Sequence, residues 1–185
     1  MLIVALLSLT ACTKYENGQK VETNETKAEE TSTKEEPKKE NETTKVDTTE
    51  KDSLVENVKT AIHKEFGQKN DFNKEDSIIE LTNEDGLIKA KVYGSDNVST
   101  QAIKEGMWID VSNTLKRLKD EKDINHIDFL LVTPLQDQYG KATDEIVMTL
   151  SFPRETLDKI DWDNFMWKNT SDISDDYFEH PVLSK

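Results

Sequence analysis

INHIDFLLVTPLQDQYGKATDEIVMTLSF, residues 124–152, contains two long runs in which apolar and polar side chains alternate. The apolar positions of one face are Ile127, Phe129 and Leu131 in the first run and Ile146, Met148, Leu150 and Phe152 in the second. Successive residues of a strand point to opposite faces, so this period of two predicts two β-strands that each bury one face. Gly140 lies in the turn-forming segment between them, which predicts a hairpin.

A second hairpin is predicted upstream, where SIIELT (77–82) and LIKAKVY (87–93) show the same alternation. The residues that join them include Asp85 and Gly86, which tolerate the positive φ angles of a tight hairpin turn. The chain therefore contains two predicted β-hairpins.

Helical spacing of apolar residues predicts a helix before the first hairpin and another between the two hairpins. The first follows a capping-box pattern formed by Ser53 and Glu56, and the second is capped by Ser99 or Thr100. Gly106 lies beside the apolar stripe of the second helix, where it indicates close packing or is simply tolerated.

A third helix is predicted from Pro153 through Ile160, since proline suits the first turn of a helix. The predicted order is α-β-β-α-β-β-α. Two hairpins linked by a helix favour an α+β two-layer sandwich, with a four-stranded, mainly antiparallel sheet and the helices on one face. The repeated ββα order is also compatible with a pseudo-duplication.

The segment before this domain, residues 13–50, is strongly polar and rich in Thr, Glu and Lys. It has seven lysines against eleven acidic residues, a net charge of −4, and four apolar residues. Such a composition cannot bury a core and predicts disorder. A coil of this length spans roughly 35 Å, which suits a tether.

At the N-terminus, residues 2–9 form an apolar run that ends close to Cys12, the only cysteine of the chain. A membrane-spanning helix needs about 20 apolar residues, whereas the core of a secretory signal needs about 7 to 15. The run is therefore too short to span a bilayer and has the length of a signal peptide. A packed apolar N-terminus with a buried thiol is the alternative, which the polar stretch after Cys12 disfavours.

The sequence Leu9-Thr10-Ala11-Cys12 resembles the lipobox of bacterial lipoproteins. The resemblance implies cleavage before Cys12 and a diacylglycerol thioether, with palmitate, on the Cys12 sulfur. Two acyl chains hold a protein stably at a membrane, whereas a single chain does so only marginally.

These features divide the chain into a lipoprotein signal peptide (1–11), a lipidated cysteine with a disordered tether (12–50) and a globular α+β domain (51–185). The implied location is the extracytoplasmic face of the cell membrane of a Gram-positive bacterium, with the lipid anchor as the membrane contact. No motif identifies a family for the globular domain.

The sequence contains no Gly-rich phosphate loop, Gly-x-Ser-x-Gly elbow, His-Glu-x-x-His motif or paired cysteines. His63 is interpreted as a solvated histidine. His126 and Asp128 are two positions apart on one predicted strand and share a face, a geometry that could offer two metal ligands. Because no third ligand is identifiable, a structural hydrogen bond or solvent exposure is favoured over metal binding.

Two clusters near the C-terminus are further candidates. If this region were helical, Asp176, Glu179 and His180 would share a face and offer ligands to a divalent ion, although an acidic solvated segment is the simpler interpretation. The second cluster consists of five aromatic residues: Trp162, Phe165, Trp167, Tyr177 and Phe178. It is a candidate binding patch, and the alternative is that these rings cover the core.

The chain carries a net charge of −14, of which −10 lies outside residues 13–50. This charge disfavours nucleic acid and anionic polymers as partners. The main hypothesis is a non-enzymatic binding or interaction module, without a cofactor beyond its lipid, that meets a protein or a cell-wall component. The alternatives are a small-solute or metal-ion binding protein and, less favoured, an envelope enzyme.

Overall fold

Residues 47–97 and 99–184 are described by a computed structural model, with side chains from Ser53 onward. The helices and strands are α1 (Asp47–Phe66), β1 (Ile78–Glu84), β2 (Leu87–Tyr93), α2 (Thr100–Arg117), β3 (His126–Gln136), β4 (Ala142–Pro153), α3 (Arg154–Leu157) and β5 (Asp176–Glu179). Short 3₁₀ turns at Trp167–Asn169 and Pro181–Ser184 precede and follow β5.

The five strands form one mixed sheet in the order β1-β2-β3-β4-β5. β2 and β3 are parallel, with α2 connecting them, and every other neighbouring pair is antiparallel. The predicted α+β class is confirmed, but the predicted number of four strands is wrong. The fifth strand comes from the C-terminal segment, whose four residues are too short to show a clear period.

The core lies between one face of the sheet and the helices α1 and α2. As predicted, Ile127, Phe129 and Leu131 are fully buried on that face. The helices contribute Leu54, Val58 and Ile62 from α1 and Met107, Val111 and Leu115 from α2. These apolar stripes bury both helices on the same side of the sheet, and among the described residues no helix packs on the opposite face.

The predicted alternation in β4 holds only from Met148 onward. The pairing between β3 and β4 shifts between Leu131 and Val132, so that Val132 pairs with Ile146 while Leu131 pairs with Met148. Val147 therefore turns into the core, and Ile146 is only partly buried. This β-bulge places one extra residue in β4 and reverses the faces beyond it.

The helix boundaries predicted from the sequence hold in part. The side chain of Ser99 accepts a hydrogen bond from the Ala102 amide and caps α2, as predicted. α1 begins at Asp47, so Ser53 lies inside the helix and the predicted capping box is wrong. α3 ends at Leu157, where the chain continues in turns instead of the predicted helix to Ile160.

The turn between β1 and β2 also fixes the start of β3. Asp85 and Gly86 have φ angles of 54° and 83°, the left-handed conformation expected for this turn. The Asn125 side chain donates to the Asp85 carbonyl at 2.9 Å, and the Asn125 amide donates to the Gly86 carbonyl at 2.8 Å. The β1–β2 turn is thereby tied to the residue that precedes β3.

Candidate binding face

The face of the sheet opposite the helices carries the candidate site, and we call it the open face. Strand register aligns its side chains in rows that cross the sheet. The central row consists of Thr82, Lys89, Asp128, Ser151 and Asp176. Each strand contributes one of these residues, so the row extends across all five strands.

At the middle of the open face, three side chains form a closed hydrogen-bonded group. His126 Nε2 lies 2.8 Å from Asp128 Oδ1 and 2.8 Å from Ser151 Oγ, while the Ser151 hydroxyl donates to Asp128 Oδ1 at 2.7 Å. An Nε2–H tautomer of His126 satisfies all three contacts, because Ser151 then accepts from the imidazole and donates to the carboxylate. We call this group the polar triangle.

The polar triangle contains the residue types of a serine hydrolase but not its arrangement. In a catalytic triad the serine and the carboxylate contact opposite nitrogens of the imidazole, so that the histidine can take the serine proton. Here both contact the same nitrogen, and the Ser151 proton is directed at Asp128. This geometry fixes the polar groups in place and differs from that of a catalytic triad.

The polar triangle borders a shallow pocket of about 280 Å³. Lys89, Thr149 and Asp176 also line it. The side chains of His126 and Asp128 are 32% and 40% exposed, so they remain accessible to a ligand while holding each other. Among the described residues, Lys89 forms no ion pair that would occupy its ammonium group.

Apolar side chains flank this polar pocket. Phe178 pairs with Thr149 across β4 and β5 and is 44% exposed on the same face. Leu87 pairs with His126 across β2 and β3 and is 53% exposed. The open face therefore combines fixed polar groups with an exposed aromatic ring and an exposed aliphatic side chain.

The predicted metal candidates do not come together. Asp176, Glu179 and His180 were considered as ligands only if the segment were helical, but Asp176 and Glu179 belong to β5 and point to opposite faces of the sheet. No group of three potential metal ligands occurs in the described ranges 47–97 and 99–184.

Glu179 is instead held on the helix side of the sheet. Its carboxylate accepts hydrogen bonds from Ser184 at 2.6 Å and Tyr177 at 2.7 Å, and Lys104 approaches it at 3.4 Å. Burial raises the pKa of Glu179, but these hydrogen bonds and the lysine outweigh burial and lower the pKa overall. His180 accepts from the Val182 amide and stabilises the turn after β5.

The predicted aromatic patch is divided between two sides of the sheet. Trp162 and Tyr177 pack against the main core, and Trp162 contacts Phe165 with ring centroids 5.8 Å apart. The 3₁₀ turn that contains Trp167 packs against α2. Only Phe178 lies on the open face, so the five rings form neither a single patch nor a cover for that face.

A partly buried carboxyl lies on α2, beside the segment that follows β2. Asp110 of α2 accepts a hydrogen bond from the Ser95 hydroxyl at 2.6 Å. Burial raises the pKa of Asp110 to about 6, with a further contribution from the negative charge of Glu65, while the Ser95 hydrogen bond acts in the opposite direction. This group belongs to α2, which packs on the face of the sheet opposite the open face.

His63 is not the purely solvated histidine that the sequence indicated. Its Nε2 lies 2.9 Å from Asp76 Oδ1, and this contact connects α1 to the segment before β1. Burial raises the pKa of Asp76, but the hydrogen bond and charge of His63 contribute to lowering it overall. The pair links two elements at the surface.

The predicted lipidation residue Cys12, the signal peptide and residues 13–46 of the tether lie outside the described residues. Within the described ranges, none of the helices combines the length and the apolar character that crossing a membrane requires.

Fold and site together define an α+β domain with one helix-covered face and one open, polar face. No protein-family model matches the chain, and no curated protein or solved structure is significantly similar to it.

The sequence placed His126 and Asp128 on one face of one strand and favoured a structural hydrogen bond or solvent exposure for them, and the structure shows the hydrogen bond between side chains that are also partly exposed. Sequence reasoning missed Ser151, which lies 23 positions after Asp128 and meets it only through the pairing of β3 and β4. In the sequence, Ser151 stands out only as a polar residue within the alternating pattern of β4. That pattern does not predict its contact with Asp128, which depends on how β3 and β4 are aligned.

Proposed function

We propose that the protein is a lipid-anchored binding module on the outer face of the membrane of a Gram-positive bacterium. It has no catalytic activity, and its open face binds a neutral sugar unit of the cell wall. The observation that carries this proposal is the polar triangle, a set of fixed hydrogen-bonding groups beside the exposed ring of Phe178.

The chemistry of the pocket suits a ligand rich in hydroxyl groups. The carboxylates of Asp128 and Asp176 accept hydrogen bonds from hydroxyls, and Lys89 donates to ring or carbonyl oxygens. Phe178 offers an apolar ring to the C–H face of a sugar. Because the polar triangle is already ordered, little conformational entropy is lost when the ligand binds.

Size and charge narrow the ligand further. A pocket of about 280 Å³ lies just below the usual range for drug-sized ligands, which begins at about 300 Å³, and its size suits a single sugar unit. The net charge of −10 outside the tether repels anionic polymers, so a neutral sugar is favoured over a phosphate-bearing one.

Absence of catalysis is proposed from the arrangement of the polar triangle, in which a single imidazole nitrogen meets both partners. The proposed location at the membrane rests on the resemblance of residues 9–12 to a lipobox and on the polar tether that follows. A lipid anchor and a tether would hold the domain within reach of the wall.

Binding to purified cell wall tests the proposal. The full-length protein in detergent is mixed with insoluble, teichoic-acid-free Gram-positive wall, and the bound fraction is measured with and without competing hexosamine oligosaccharides. We expect Asp176→Asn and Phe178→Ala each to weaken binding about tenfold, because each removes one ligand contact worth about 1.4 kcal/mol.

Matched controls are Asp163→Asn, an exposed carboxyl outside the open face, and Met166→Ala, a side chain that is 61% exposed. Both variants should bind like the wild type. Failure of the wild-type protein to bind wall, or equal losses in all four variants, would contradict the proposed ligand.

A further inference from the structure

The hairpin formed by β3 and β4 extends beyond the rest of the sheet. β2 pairs with β3 only as far as Val132, and β5 pairs with β4 only from Met148 to Ser151. Residues 133–136 and 142–145 therefore pair only with each other within the described sheet. They project about four residues, or roughly 13 Å, past the neighbouring strands. We call residues 133–146 the arm.

The tip of the arm is held by a dense set of short-range hydrogen bonds. The Asp137 carboxylate accepts from the amides of Tyr139 at 2.8 Å and Lys141 at 2.9 Å. The Gly140 amide donates to the Asp137 carbonyl at 3.0 Å, and the Asp137 amide donates to the Lys141 carbonyl at 3.0 Å. Gly140 supplies the positive φ of 80° that this turn requires. The backbone of the tip is thus fixed.

The arm is also anchored at its base. Tyr93 donates its hydroxyl to Asp144 Oδ2 at 2.5 Å, and Leu135 packs against the main core. The orientation of the tip therefore follows from the sheet itself.

The fixed tip displays Tyr139, whose exposure of 85% is the highest among the large hydrophobic residues described. A tyrosine has few rotatable bonds, and a rigid backbone lowers the entropy lost when it is immobilised. Tyrosine is also enriched among the residues that dominate binding energy at protein interfaces. An ordered turn that presents one ring to solvent is suited to insertion into a pocket.

The edges of the arm are poorly suited to strand addition. Pro134 has no amide hydrogen to donate, and it pairs with Asp144 across the arm. Asp144 and the exposed Glu145 place charges along β4 in this region. Proline and charged residues protect free strand edges from pairing with another chain. Contact through the tip is favoured over contact through an edge.

We propose that the arm is a docking element whose Tyr139 enters an apolar pocket, rimmed by lysine or arginine, on another protein. We choose a basic rim because the arm is negatively charged. The arm contains three acidic residues and one lysine, which give it a net charge of −2: Asp137, Asp144, Glu145 and Lys141. The net charge of the whole chain has the same sign, so a basic rim on the partner is complementary to the arm. The proposal is independent of sugar binding on the open face.

Photo-crosslinking in the native bacterium identifies the partner. A benzoylphenylalanine replaces Tyr139, and a matched strain carries it at Met166, which is exposed outside the arm. We expect one protein to be cross-linked from position 139 and not from position 166. Absence of such a product would overturn the proposal.

Purified partner is then titrated with wild-type protein and with Y139F, Y139A, E145K and M166A variants. We expect Y139A to weaken binding at least tenfold, Y139F to retain most of the affinity, and M166A to have no effect. E145K should weaken binding and flatten its dependence on salt. Equal affinity of wild type and Y139A, or stronger binding by E145K, would overturn the proposal.

Wall binding is measured on the same variants. All arm variants should retain it, which separates failure of the arm proposal from failure of the sugar proposal.

Discussion

Asp110 is a carboxyl whose environment in the folded protein differs strongly from water. It is partly buried on α2, and within the described residues its carboxylate accepts a hydrogen bond from the Ser95 hydroxyl. Glu65 on α1 adds negative charge nearby, although Glu65 itself is paired with Arg117. One neutral donor does not fully compensate the lost hydration of the carboxylate, so folding shifts Asp110 toward its protonated form relative to the same group in water.

This environment makes stability fall as pH rises. The pKa of Asp110 is about 6 when folded against 3.8 for the ordinary group, so the folded protein binds more protons between these values. The contribution of Asp110 to the free energy of unfolding therefore decreases through this window, by up to about 3 kcal/mol, and levels off above it. Asp110→Asn keeps an acceptor for Ser95 and removes the charge, so we expect it to be more stable than wild type at pH 8.

Urea unfolding followed by tryptophan fluorescence at pH 5 and pH 8 measures this difference. Asp163→Asn, which changes an exposed carboxyl, is the control and should show no such gain. A less stable Asp110→Asn protein at pH 8 would show that the charged form of Asp110 is the favoured one.

Residue chemistry could be predicted where partners are close in sequence. The contact between His126 and Asp128 follows from their spacing on one strand. Ser151, and the contact of Asp110 with Ser95, depend on how separate segments pack, which composition and period do not specify. The polar triangle was therefore predictable in part, and the partly buried carboxyl was not.

Among the structural elements, two glycine turns provide a matched comparison. Gly86 and Gly140 have nearly equal φ angles of 83° and 80°. A Cβ atom on Gly86 would lie 2.3 Å from the Asp123 carbonyl oxygen, whereas nothing lies within 4 Å of one on Gly140. The first turn is packed against the chain before β3, and the second is open.

We expect Gly140→Ala to cost about 1 kcal/mol, the strain of a left-handed alanine alone. Gly86→Ala should cost about 3 kcal/mol, because overpacking against backbone adds to that strain. Thermal and urea unfolding of both variants measure the difference. Equal losses would show that the segment around Asp123 yields to the added methyl group.

At the level of elements, period and turn chemistry predicted both hairpins and α2. The same signals could not reveal β5, because four residues of mixed polarity show no decisive alternation. The same signals did not determine whether the two hairpins pair in a parallel or an antiparallel direction. Alternation shows which face of a strand is buried, but it does not show which strand lies next to it. The parallel contact of β2 with β3 became known only from the fold.

For the whole molecule, the proposed lipid anchor gives a direct prediction. Cys12 is the only cysteine, so Cys12→Ser removes the one side chain that can carry the thioether. We expect the variant to leave the membrane fraction and to lose partition into detergent, since the acyl chains supply the membrane affinity. Fractionation of cells that express each form, with immunoblotting, measures this.

Cys12→Ala should behave in the same way, because it also lacks the thiol. Retention of either variant at the membrane would contradict the lipid anchor and favour another form of attachment. The soluble variant should unfold at the same urea concentration as the wild type, which separates loss of the anchor from loss of the fold.

The central parallel pairing has a consequence for how the molecule folds. Each of its residue pairs, such as Leu87 with His126, joins positions 39 residues apart, whereas the β1–β2 hairpin closes across a two-residue turn. Because distant contacts form slowly, we expect the hairpins to assemble early and the sheet to close late, with α2 in place. Until β3 pairs with it, the inner edge of β2 has free backbone hydrogen-bonding groups that can pair with another chain. We therefore expect the partly folded protein to be most prone to aggregation at this stage.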